Sequence, residues 1–168
     1  MTSIVDTNVI LVANGQHADV DPECVAECAL RLQNLMTNGR IALDDAYEIL
    51  LEYQNKTQPK SGNRPGDAFV KWALQNNRTV AKCDLVPLEV HPERGYVSFP
   101  DDSRLEAFDP PDRKFVAVSA AHSDHPPILQ AADSKWLAWE PSLKQHGVEV
   151  QFLCPDDIRR FRDNKAGK

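Results

Sequence analysis

Ser3-Ile4-Val5-Asp6-Thr7-Asn8-Val9-Ile10 sets a short apolar run against an aspartate and two small polar residues, after which apolar character resumes. The run predicts a buried first strand of an α/β protein, with Asp6 at its carboxyl end. Ligands gather in the crevice beyond the carboxyl ends of parallel strands, so Asp6 is a candidate metal ligand. An aspartate in this place also caps a following helix, and the segment alone does not separate the two roles. The same grammar returns at Pro127-Ile128-Leu129-Gln130-Ala131-Ala132, a predicted strand that ends in Asp133.

Between these two runs, Asp21-Pro22-Glu23 marks a helix start. Val25, Cys28, Ala29, Leu32, Leu35 and Met36 follow at helical spacing, and Asn38-Gly39 closes the helix. Ile41-Ala42-Leu43 reads as a strand ending in Asp44-Asp45. A second helix begins there, with Asp45 and Glu48 at capping-box spacing and Ala46, Ile49, Leu50 and Tyr53 as its buried stripe. Glu52 borders that stripe and Glu48 lies farther from it, so Glu52 is preferred as the site residue.

The middle of the chain carries weaker signals. Ser61 to Gly66 reads as a loop, and Phe69, Trp72 and Ala73 as a short helix stopping near Asn76-Asn77. Val86 to Val90 and Tyr96 to Phe99 are strand-like, as an added hairpin or an irregular connection. Arg64, Lys71 and Arg78 read first as solvated surface; Arg64 and Lys71, with Lys135, are the candidate phosphate contacts.

From Phe108 the pattern sharpens. Asp109-Pro110-Pro111-Asp112 precedes a helix over Phe115 to Ala121 that is apolar almost all round, leaving Asp112 as cap or ligand. His122, Asp124 and His125 read as a solvated loop at the far end of that helix. Trp136, Leu137 and Trp139 suggest a short helix packed over the strand ends, with a base-stacking surface as the alternative. Pro141 to His146 reads as another short helix and Val148 to Leu153 as a last strand. Pro155-Asp156-Asp157 opens a final helix with Ile158 and Phe161 inward, and Lys165 to Lys168 is expected to fray.

The chain has 168 residues, the size of one domain, in which 60–106 form an enlarged middle segment. Its net charge of −6 argues against a broad basic surface for nucleic acid. It does not exclude a nuclease, because acids that hold cations themselves carry negative charge. Cys24, Cys28, Cys83 and Cys154 include no Cys-x-x-Cys pair. Cys24 and Cys28 share a helix face, where disulfide geometry is seldom met, and no neighbouring His or Cys completes a zinc site. They read as reduced, mostly core cysteines of a cytoplasmic protein. No secretory signal and no apolar run of about 18 residues is present.

Alternation of strand and helix predicts a mainly parallel sheet with helices on both faces. Asp6 and Asp133 then lie at strand ends, Asp112 at a helix start and Glu52 on a helix flank. Four converging carboxylates repel one another and call for a cation. All-oxygen donors suit Mg²⁺ or Mn²⁺, which can activate water and hold the charge of an in-line phosphoryl displacement.

Ile4 to Val9, Ile49-Leu50-Leu51-Glu52-Tyr53, Asp109 to Ala117 and Ala131-Ala132-Asp133 resemble, in order, the four acidic motifs of the PIN-domain nucleases. The resemblance covers nearly all of the chain outside roughly Lys60 to Glu106. It implies a three-layer α/β/α sandwich and a Mg²⁺- or Mn²⁺-dependent endoribonuclease acting on single-stranded or structured RNA. The ligands carried over are Asp6, Glu52, Asp112 and Asp133, with Asn8, Glu48 and Asp109 placed around them. A homodimer and an antitoxin-like protein inhibitor are the further partners that such relatives suggest; no membrane is involved. Two features depart from the pattern: the middle segment is longer than in compact toxin members, and Lys135 stands where many relatives carry another acid. A PIN-fold scaffold that binds RNA or protein without cutting is the alternative. A Mg²⁺-dependent phosphatase ranks lower, because Asn8 occupies the place of its acid/base aspartate.

Overall fold

The computed structural model describes residues 1–166. Its first half runs β1 (Thr2–Val5), α1 (Thr7–Ala13), α2 (Pro22–Asn38), β2 (Arg40–Asp44), α3 (Glu48–Lys56) and α4 (Pro65–Asn76). Then come β3 (Cys83–Val86), β4 (Val90–His91), β5 (Gly95–Tyr96) and two 3₁₀ turns, Ser103–Leu105 and Pro110–Asp112. The chain continues as α5 (Arg113–Ala121), β6 (Ile128–Gln130), α6 (Lys135–Gln145), β7 (Val150–Phe152) and α7 (Pro155–Ala166).

The chain is α/β, a three-layer arrangement around a five-stranded parallel sheet of order β3-β2-β1-β6-β7. Strands covered on both faces carry continuous apolar runs, and Ile4, Val5, Ile41, Ala42, Leu43, Ile128 and Leu129 are all essentially inaccessible. From β1 the chain winds outward to β3, then returns to the other side of β1 as β6. The reversal leaves a crevice between the carboxyl ends of β1 and β6, the place where open α/β sheets bind ligands. Ile4 pairs with Ile128 and Val5 with Leu129, so Asp6 and the turn after β6 emerge side by side. Helices α1 to α4 pack on one another, while α5 lies against β1, β2 and β6.

Local chemistry corrects several boundaries. Helix α3 is capped by Asp44, not Asp45: the Asp44 carboxylate accepts from the backbone N–H of Glu48 (2.8 Å) and of Ile49 (2.9 Å). The expected Asp45–Glu48 capping box does not form, and Ala46 is exposed rather than part of the stripe. Asp44 is 1% exposed, so its loss would leave two donors without acceptors. Asp44→Ala is expected to cost about 2 kcal/mol, readable by urea denaturation; a change under about 0.5 kcal/mol would refute this capping role.

The third strand, β3, is Cys83–Val86, not Val86 to Val90. Its Asp84 pairs with Arg40 of β2 and with His122 (2.8 Å), whose partner the sequence did not disclose. The connection that follows is indeed a hairpin, β4 pairing antiparallel with β5. Lys135–Gln145 form one helix with Pro141 inside it, not two short ones. Burial of Trp136 and Leu143 on either side of Pro141 outweighs its missing N–H. Of the tail expected to fray, Lys165 and Ala166 belong to α7, and Gly167 and Lys168 lie outside the described residues.

The largest correction concerns the cysteines. Cys24 and Cys154 form a disulfide with Cα atoms 5.3 Å apart, tying α2 to the start of α7 across 130 residues of sequence. The expectation of reduced cysteines considered only neighbours along the chain; Cys28 and Cys83 are free and buried. Among the described residues no helix is long and apolar enough to cross a membrane.

Candidate metal centre

Asp6 follows β1 directly and is 5% exposed. Its Oδ2 accepts the N–H of Asn8 (3.0 Å), so it does cap α1, as the plainer reading had it. Capping does not account for its surroundings. Burial drives its carboxyl well above the ordinary value, and the charges of Asp112, Glu52 and Asp133 push it the same way. Asn8 turns its own side chain to the second strand end, accepting from the backbone N–H of Ala132 (2.6 Å). This bond latches the loop that carries Asp133 onto the start of α1. Beneath it, the Tyr53 hydroxyl donates to the carbonyl of Val5, the last residue of β1.

Asp109, Asp112 and Asp133 each offer a carboxylate oxygen, and the three oxygens lie within 4.8 Å of one another. The Pro110–Asp112 turn brings the first two to the mouth of the crevice. The Asp133 carboxylate accepts from the N–H of Lys135 (3.2 Å), which fixes it at the start of α6. Asp109, expected only to surround the ligands, is therefore within the same 4.8 Å as Asp112 and Asp133.

Glu52 reaches the same crevice from α3. Its Oε2 accepts from the Thr7 hydroxyl and its Oε1 from Lys114 Nζ (2.9 Å), which also donates to the Pro111 carbonyl. Glu48 is exposed at the first turn of α3. It is not among the charges that act on Asp6 or Asp112; it lies near Tyr96 instead. Glu52 thus acts on both Asp6 and Asp112, and Glu48 on neither.

Two lysines oppose five acids. Lys114 is buried against Glu52, and Lys135 pairs with Asp109 while remaining exposed. Thr7 and Lys114 were missed from sequence. Lys114 left a readable signal, since a lysine on an otherwise apolar helix needs a counter-charge. Thr7 left none. Arg64 is committed to the buried Asp67 (2.9 Å), part of the network that docks α4 on α1 through Asn14, and Lys71 is exposed on α4. The base-stacking alternative fails: Trp136 is fully buried, and it and Trp139 pack on Phe108, with ring centroids 5.0 Å and 4.3 Å away.

Burial, reinforced by Asp133 and Glu52 and opposed by Lys114, raises the Asp112 carboxyl from its ordinary 3.8 to about 6. A carboxyl raised on folding binds its proton more tightly in the native state. Its contribution to stability is full below about pH 4 and is lost as pH climbs through about 6. After discounting for partial exposure, that loss is about 1–2 kcal/mol. In EDTA, unfolding midpoints are expected to fall between pH 4 and pH 6.5, and Asp112→Asn should flatten that decline. Parallel pH profiles for variant and wild type would count against it.

The acids face an open sheet edge. A groove of about 510 Å³ lies elsewhere, between α3 and α4, lined by Tyr47, Leu51 and Arg78 among others. Donor chemistry is the better guide here: five clustered carboxylates, all oxygen and only partly neutralised, fit a hard divalent cation. No protein-family model, curated protein or solved structure matches the chain.

Proposed function

We propose that this protein is a PIN-type, Mg²⁺- or Mn²⁺-dependent endoribonuclease. The observation that carries the reading is the three-oxygen cluster of Asp109, Asp112 and Asp133 at the sheet's reversal point, joined electrostatically to Asp6 and Glu52. Asp109, Asp112 and Asp133 would hold the ion, with Asp6 and Glu52 completing its shell. When bound, such an ion lowers the pKa of water and takes up charge in an in-line phosphodiester displacement.

The chain's own residues do the positioning. Asn8 fixes the loop bearing Asp133, Thr7 and Lys114 aim Glu52, and Tyr53 anchors the end of β1 below Asp6. Lys135, exposed beside Asp109, would meet the phosphates of an RNA strand, while Lys114 stays buried against Glu52. A cytoplasmic location goes with this reading.

The test uses labelled single-stranded RNA with purified protein in EDTA, Mg²⁺ or Mn²⁺. Cleavage is expected only with a divalent ion, and lost in Asp112→Asn. Glu52→Gln should reduce cleavage at least ~10-fold and Glu48→Gln less than ~2-fold, since only Glu52 lies within the cluster. Equal effects would remove Glu52 from the site, and metal-independent cutting would end the proposal.

A second reading is a metal-free RNA- or protein-binding scaffold. It is favoured by the Lys114–Glu52 and Lys135–Asp109 pairs, which already neutralise two of the acids. RNA binding in EDTA without cleavage in Mn²⁺ would select it.

A further inference from the structure

Three of the four cysteines meet away from the acidic crevice. Cys24 and Cys28 stand one turn apart on α2, and Cys154 immediately precedes α7. All three are buried, and their sulfurs lie within 4.8 Å of one another. A disulfide needs two sulfurs, and Cys24 with Cys154 supplies them. The third, Cys28 Sγ, sits 3.9 Å from Cys154 Sγ. Thiolates bound to zinc at ~2.3 Å in a tetrahedron stand ~3.8 Å apart. One edge of a three-sulfur zinc site is therefore already at its working length.

The surroundings suit a cation. A cleft of about 240 Å³ opens onto Cys24 and Cys154, and Glu23, Glu27, Asp156 and Asp157 line it. Four acids around buried sulfurs lower the energy of a positive ion there and oppose thiolates that lack one.

We propose that Cys24, Cys28 and Cys154 form a Zn²⁺ site whenever the Cys24–Cys154 disulfide is reduced, with a water from the cleft as fourth ligand. A dithiol reductant supplies two electrons and two protons: the S–S bond opens to two thiols, and the dithiol becomes a disulfide. Binding of the ion by three thiols then releases three protons. Either state ties α2 to α7, which also meet where the Asp157 carboxylate accepts the backbone N–H of Asp21 (2.7 Å). The ion replaces the covalent bond where the solution is reducing. This site is independent of the nuclease reading.

Cobalt is the probe. Protein reduced with dithiothreitol and freed of reductant under argon is titrated with Co²⁺, then with Zn²⁺. One equivalent of Co²⁺ should produce thiolate-to-cobalt charge-transfer absorption with strong tetrahedral visible bands, and Zn²⁺ should erase both. Oxidised protein should show neither. Cobalt held by carboxylates absorbs weakly and gives no sulfur band, so the acidic crevice does not interfere, and Asp6→Asn should leave the bands intact. Cys28→Ser keeps the disulfide pair and should bind Co²⁺ at least ~10-fold more weakly. Zn²⁺ should also restore thermal stability lost on reduction. No sulfur band in reduced wild type, undiminished bands in Cys28→Ser, or a reduced chain that unfolds and is not rescued by Zn²⁺ would each overturn the proposal.

Discussion

Asp6→Asn should abolish RNA cleavage while raising the melting temperature of the metal-free protein. The two effects share one cause. At neutral pH the Asp6 carboxylate is buried among Asp112, Glu52 and Asp133, and burial together with those charges resists its ionisation. Asparagine keeps the shape and can still accept the N–H of Asn8, so the cap on α1 survives. What it removes is an ionisable group whose charged form burial and three neighbouring carboxylates oppose. The metal-free fold gains, and the divalent ion loses a ligand. A fall in kcat on the order of 10³-fold or more, about 4 kcal/mol of transition-state stabilisation, is expected. Thermal melts in EDTA and in Mn²⁺ give the second readout: Mn²⁺ should lift the wild type strongly and the variant little. An Asp6→Asn protein that melts lower than wild type in EDTA, or still cleaves, would show that Asp6 is a helix cap and nothing more.

Lys114→Met should move two quantities in opposite directions. Among the described residues Lys114 Nζ is the one cation paired with Glu52, and its side chain is only 10% exposed. Methionine fills similar space without the charge, leaving Glu52 facing Asp6 and Asp112 with only the Thr7 hydroxyl as partner. Breaking a largely buried pair from one side costs about 2–3 kcal/mol here, below the fully buried range because Glu52 is partly accessible. For Mn²⁺ the sign reverses, because removing a positive charge a few ångströms away strengthens cation binding by roughly tenfold, about 1.4 kcal/mol. Calorimetric titration with Mn²⁺ and urea denaturation in EDTA measure the two terms separately. Weaker Mn²⁺ binding in Lys114→Met would mean that the lysine organises the acids rather than substituting for an ion.

The fold was legible where sequence and burial speak the same language. Strands of a parallel sheet are covered on both faces, so β1 and β6 stand out as short apolar runs, and an aspartate at the end of each is conspicuous against them. The same rule hid β3, where Asp84 breaks the apolar pattern because it serves Arg40 and His122 at the sheet's edge. Asp44 and Asp45 cannot be told apart by spacing alone. Only the backbone, with Tyr47 at φ 63°, decides which carboxylate faces the first turn of α3. Pro141 looked like a helix break because its local cost is visible and its tertiary packing is not. The Cys24–Cys154 pair was unreadable for a different reason: its 130-residue separation carries no periodic signal. In the crevice, the acids were found because each ends or flanks an apolar element. Lys114 was passed over because its neighbours drew attention to the helix core instead of to its one charge.

The strand order also governs when the centre can exist. Strand β1 is the middle of the finished sheet, and one of its two neighbours, Ile128–Gln130, is made more than a hundred residues after it. Its contacts are distant in sequence and slow to close. A growing polypeptide therefore carries Asp6 and Glu52 long before Asp133 can join them. If the protein is the nuclease proposed, its acidic centre stays incomplete until that strand and the Asp133 loop have been made.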